Sequence, residues 1–140
     1  MNSRNNLIHQ IKTGLDKIPV SDHSKKSILA RGCDPQMGFR AVQLIPPMIG
    51  NPEMVAVTND DDFINELKRK KWSIIHFAPG ACRYDASKLP IPGSSNNTRG
   101  WGLAQYRELV KKRQGEGVVI IETTDERQIV PLLIQALDGH

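Results

Sequence analysis

His76, Cys82 and Arg83 lie close together within the run IIHFAPGACR. A cysteine becomes a nucleophile when a neighbouring cation or a helix N-terminus lowers its pKa. A nearby imidazole can then take its proton, if it lies within hydrogen-bond reach. Cys82 beside Arg83, with His76 on the preceding strand, is therefore a candidate Cys–His pair with no third member. A packed, structural His76 and Cys82 is the plainer expectation. His76 would then share a strand face with Trp72 and Ile74 and have one ring nitrogen satisfied. Arg83, Lys88 and Arg99 make an anion site plausible, because a guanidinium binds phosphate or carboxylate through a planar fork. Trp101 stands between Gly100 and Gly102, free to stack on a base, a sugar or a partner side chain, or to anchor the next helix. Glu122 closes the chain's clearest strand, where a carboxylate can hold a hydroxyl or act as a base.

These residues gather around one feature. From Pro79 to Gly100 run 22 positions of mostly Gly, Pro, Ser and Asn, after a strand and before a helix. Structureless connections longer than about a dozen residues are uncommon in compact domains and often functional. A loop that leaves a strand lies at the C-terminal edge of a parallel sheet, where open α/β folds bind ligands. The competing expectation is a surface insertion of disorder-prone composition.

The surrounding elements follow from periodicity. Leu7, Ile8, Ile11, Leu15 and Ile18 recur at helical spacing up to Pro19. Ser21 or Asp22 caps an expected second helix, DHSKKSILAR, ended by Gly32. GCDPQMGF is expected to be a turn, and RAVQLIPP a short strand stopped by Pro46 and Pro47. Strands are expected at 54–58, 72–78 and 117–123, with amphipathic helices at 59–71 and 102–115 between them. Thr123 and Glu126 have capping-box spacing for a last helix, which Pro131 either kinks or starts near Val130. The acidic start and basic end of 59–71 complement a helix dipole, which accounts for Asp60, Asp61 and Asp62 without a metal. Alternating strands and helices predict an α/β fold: a mostly parallel sheet with helices on both faces, Rossmann-like or thioredoxin-like. A short, basic N-terminal helical segment, residues 1–50, is expected to pack on a 51–140 core in a single domain.

Two resemblances bear on the loop. His76-Phe77-Ala78-Pro79-Gly80-Ala81-Cys82-Arg83 resembles the tyrosine-phosphatase signature His-Cys-x-x-Gly-x-x-Arg, with His76, Gly80 and Arg83 in register. The resemblance implies a backbone and Arg cradle for phosphate around Gly80 and Arg83. Phe77 stands where the family's nucleophile belongs, so thiolate chemistry at that position is excluded. The stretch VTNDDDFINELKRKKWSIIHFAPGAC is similar to the entry of a thioredoxin-like fold, and IVPLLI to that family's cis-proline segment. That family's dithiol chemistry needs Cys-x-x-Cys, and Cys82 stands alone here.

Composition narrows the rest. Net charge is +4, and all of it falls in residues 1–50, with seven Lys/Arg against three Asp/Glu. That excess suits a solvated helical face or an anionic partner. Basic residues without interleaved aromatics make nucleic acid an unlikely partner. No zinc-spaced Cys/His set, no Gly-x-Gly-x-x-Gly and no phosphate-loop Gly-Lys-Ser/Thr motif occurs, so no metal and no cofactor is expected. Apolar runs are too short to span a membrane, and the first residues carry no export signal, which points to the cytoplasm. The function expected is binding of an anionic small molecule by the long loop, through Arg83, Arg99 and Trp101 with Gly80, Lys88 and Glu122. The alternatives are a protein–protein interaction module, including a homo-oligomer, and an enzyme with Cys82 as nucleophile.

Overall fold

A computed structural model describes residues 20–79 and 91–140. Gly80, Cys82, Arg83 and Lys88, and the helix expected at 7–18, lie outside the described residues. The described elements run β1 (Ser27–Arg31), α1 (Pro35–Leu44), a 3-10 turn (Pro46–Met48), β2 (Glu53–Val57), α2 (Asp60–Arg69), β3 (Ile74–Phe77), α3 (Leu103–Gln114), β4 (Val119–Glu122), a second 3-10 turn (Glu126–Gln128) and α4 (Ile129–Gly139). All strand pairs are parallel and the sheet order is β2-β1-β3-β4. This is the opening of the doubly wound order 2-1-3-4-5, in which the chain changes direction between β1 and β3.

The helix expected over DHSKKSILAR is corrected by β1. SILAR is a strand between β2 and β3, with all five residues buried, and it is not the end of a helix. A three-residue apolar run, Ile28-Leu29-Ala30, carries no periodicity that separates helix from strand. Pairing on both sides decides it. The expected turn at GCDPQMGF and strand at RAVQLIPP together form α1. Asp34 caps it by accepting from the backbone N–H groups of Gln36 (2.9 Å) and Met37 (3.4 Å), with Pro35 in the first helical position. Asp-Pro is a helix-start pair because the cap supplies an acceptor and proline's missing N–H is not needed there. The helix ends at Leu44, just ahead of Pro46 and Pro47, which cannot donate to it.

Alternation along the strands divides the core. Leu29, Ile75 and Phe77 face α2 and α3, packing with Phe63, Leu67 and Tyr106. Ile28, Ile74 and Ile121 face α4, packing with Val130, Leu133 and Leu137. Trp72 belongs to the first layer, where its indole N–H donates to the Glu66 carbonyl at 2.8 Å, so it does not share the His76 face as expected. The cap expected at Thr123 is corrected, and α4 starts at Ile129, beside the start expected near Val130. Asp125, not Thr123, caps the 3-10 turn through the Arg127 N–H at 3.0 Å, while the Thr123 hydroxyl oxygen accepts from the Asp125 N–H. Pro131 lies in the first turn of α4, where its missing N–H breaks no bond. Among the described residues no helix is long and apolar enough to cross a membrane.

Candidate functional site

The C-terminal ends of the strands carry two different constructions, one on each face. On the α2–α3 face the second half of the long loop is held by a buried ion pair. Arg31 and Asp60 are both 0% exposed. The Arg31 Nε and Nη2 donate to Asp60 Oδ1 at 3.0 and 2.9 Å. Nη2 also donates to the Pro92 carbonyl at 2.8 Å, and Nη1 to the Gly32 carbonyl. The second Asp60 oxygen accepts from the Thr98 and Tyr106 hydroxyls, each at 2.6 Å. The Asp60 N–H itself donates to the Gly93 carbonyl at 2.9 Å. Burial, then the hydrogen bond to Asp60, pushes the Tyr106 phenol well above its ordinary pKa, so it remains a donor. Both carboxylate oxygens are satisfied, as a buried charge requires.

This network spans β1, α2, α3 and the loop, and it clamps the loop over the ends of β1 and β2. Gly93 makes the close approach. Its φ is +86°, and a Cβ there would stand 2.4 Å from the Thr58 carbonyl oxygen. Gly93→Ala is therefore expected to cost about 2 kcal/mol or more. Gly100→Ala, at φ +78° but with nothing within 4 Å of the added carbon, should cost less. Urea melts of the two variants measure the difference. Equal costs would mean the Gly93 contact is not tight.

The sequence candidates on this side are engaged in structural roles. Trp101 meets Tyr106 edge-on, with ring centroids 5.3 Å apart, and packs on the core, so it anchors α3. Arg99 is exposed and donates to Asn96 Oδ1 at 3.1 Å. Glu122 is gripped by Arg107 through two bonds of 2.6 and 2.5 Å.

The other face holds an open cleft of about 420 Å³, within the roughly 300–1,000 Å³ typical of small-molecule sites. Its floor is the last inward row of the sheet. Ala56, Ala30 and His76 stand side by side in register, with Ile121 beyond. Two alanines in succession leave the space. One wall is α1, through Met37, Ala41 and Leu44, and the other is the start of α4, through Ile129 and Val130. Gly38 lets α1 pass close to β2, since a Cβ there would lie 3.2 Å from that of Ala56. No residue of α1 is buried, so this wall covers the sheet only loosely. The mouth opens at Gly32, Cys33, Ala78 and Pro79, the ends of β1 and β3.

His76 is 3% exposed. Among the described residues neither of its ring nitrogens has a hydrogen-bond partner. That corrects the expected packed imidazole with one satisfied nitrogen. Burial pushes its pKa down to about 4, so the ring is neutral at physiological pH. The ionisable groups lining the same cleft are Cys33, Asp34, Arg40, Glu126 and Arg127. Arg127 also pairs with Asp125 at 3.1 Å. Cys33, a free thiol, was not singled out from sequence because GCDP reads as a turn. Arg31 and Asp60 were missed because their pairing joins residues 29 positions apart.

No protein-family model matches this chain, and neither a curated protein nor a solved structure matches it.

Proposed function

We propose that this chain is a small-molecule-binding domain whose site is the cleft over the ends of β1 and β3. The observation that carries the proposal is the cleft's position: it opens at the direction change of a doubly wound sheet, where such folds take ligands. A mostly apolar lining with a few polar groups is also the usual make-up of a ligand pocket. Three methionines in the lining, Met37, Met48 and Met54, can adapt to an occupant's shape. A free Cys33 in the lining suits a reducing, cytosolic setting. The long loop contributes its first residue, Pro79, to the cleft mouth. An anionic ligand held by the loop itself would depend on Arg83 and Lys88, outside the described residues, with Arg99 released from Asn96. A nucleophilic Cys82 lies outside them too.

The test is a thermal-shift screen of small apolar, phosphate-bearing and carboxylate-bearing compounds on the wild type and on Ala41→Phe, which fills the cleft from α1. A compound at a hundredfold excess over its Kd should stabilise by about 2.7 kcal/mol. A hit lost in Ala41→Phe supports the cleft. Hits that persist in Ala41→Phe and vanish in Arg83→Ala would move the site to the loop.

One observation favours an interaction module as a second reading. Phe39 and Leu44 on α1 are 65% and 48% exposed, Leu44 on the wall of the cleft and Phe39 outside it. A self-associating chain should become monomeric by light scattering when Phe39 is changed to Ser.

A further inference from the structure

We propose that the cleft takes an uncharged, predominantly apolar small molecule whose hydroxyl or carboxamide group hydrogen-bonds to His76. This rests on the cleft being the binding site and adds the chemical class of its occupant.

The first ground is the imidazole itself. A neutral ring has one N–H donor and one acceptor nitrogen. Leaving a buried donor or acceptor unmade costs roughly 1–3 kcal/mol. The residues beside His76 in register are Ala30 on β1 and Ile121 on β4, and neither side chain can pair with it. His76 lines the cleft, and both ring nitrogens are closed to solvent there, so an occupant reaches them by shifting a wall side chain. A ligand group that both donates and accepts, such as an alcohol or an amide, can satisfy either ring tautomer.

The second ground is charge. The backbone N–H groups at the start of α1 would be the natural cradle for a phosphate. The Asp34 carboxylate already occupies them. Among the described residues the lining holds two carboxylates, Asp34 and Glu126, and two guanidiniums, Arg40 and Arg127, so it carries no excess of positive charge. The floor holds no charged group to pair with an ionic head, and an unpaired ion among Ala30, Ala56 and Ile121 would be strongly disfavoured. The third ground is shape. Alanines on the floor and flexible methionines on the walls accept an apolar body with no polar demands beyond His76.

The experiment is an NMR titration of the full chain near neutral pH with phenol, benzamide, toluene, benzoate and phenyl phosphate. Three proteins are compared: wild type, His76→Phe and Ala41→Phe. Phenol and benzamide should bind wild type about tenfold more tightly than toluene, the worth of one hydrogen bond. His76→Phe should abolish that preference while still binding toluene. Ala41→Phe should lose all three. The wild-type His76 ring nitrogens should shift with phenol and not with toluene, a readout that survives if His76→Phe fails to fold. Benzoate or phenyl phosphate outbinding phenol would overturn the uncharged class. Toluene binding in the cleft with no preference for phenol would overturn the His76 anchor and leave the cleft standing. No binding by any probe would remove both.

Discussion

Asp60→Ala is expected to lower stability by about 3–5 kcal/mol, the cost of stranding one partner of a buried ion pair. In a chain of 140 residues that is a fall in Tm of about 10 °C. The cause is not the lost attraction alone. Arg31 is fully buried, so its guanidinium would be left in the core without a counterion. The Thr98 and Tyr106 hydroxyls would lose their acceptor in the same step. Two companions isolate the mechanism. Asp60→Asn keeps the shape and an acceptor oxygen but not the charge, and should fall between wild type and Asp60→Ala. The double variant Arg31→Met, Asp60→Leu should recover much of the loss, because replacing a whole buried pair by apolar groups is often close to neutral. Urea melts give the double-mutant cycle, with an expected coupling of about 2 kcal/mol or more. Amide exchange should quicken across residues 91–102, since the clamp holds the loop through Pro92, Gly93 and Thr98. A loss below about 1 kcal/mol for Asp60→Ala would show that water or movement relieves the stranded charge.

The second large effect is acid destabilisation through His76. The folded-state pKa is about 4, below the ordinary 6.5. Between these values the unfolded chain binds a proton that the folded chain refuses. Stability therefore rises with pH through this window and falls as pH drops from 6.5 towards 4. At 1.36 kcal/mol per pKa unit the full loss is about 3 kcal/mol. His76→Gln keeps a polar side chain that does not titrate. The wild type should lose about 3 kcal/mol more than this variant between pH 7 and pH 4, while the carboxylates titrate in both. Parallel curves for the two proteins would mean that the imidazole is hydrated or partnered when folded. A ligand on His76 that accepts only from the protonated ring would raise the pKa and shrink the window. An uncharged donor–acceptor ligand would leave the window in place.

Much of the core half of the fold was legible. NDDDFINELKRKK has a helix-shaped pattern, with Phe63 and Leu67 inward and Asn59 as the cap, and the structure has α2 there. The same holds for α3, which Gly115 terminates, and for β2, β3 and β4. What these segments share is local: period, cap and stop lie within a dozen residues. The first half was misjudged where the local signal was short or double in meaning. Asp34-Pro35 suits a turn and a helix start equally, and the following residues settle it only by packing over β2.

The candidate site divides along the same line. Residue types and spacing were enough to predict an α/β chain, which the structure has, and to set a long loop at the C-terminal end of β3. They also showed that no nucleotide-loop or zinc pattern is present. They could not establish that β1 lies between β2 and β3, because strand order is set by backbone pairing between distant segments. From that order follow the Arg31–Asp60 clamp, which fastens the second half of the long loop, and the alanine row that opens the cleft. His76 stood out in the sequence for its partners along the chain. Across the sheet its neighbours are Ala30 and Ile121, and among the described residues nothing pairs with either ring nitrogen. Local sequence carries periodicity and capping, whereas desolvation and charge pairing depend on which surfaces meet, and that is decided only when the chain is folded.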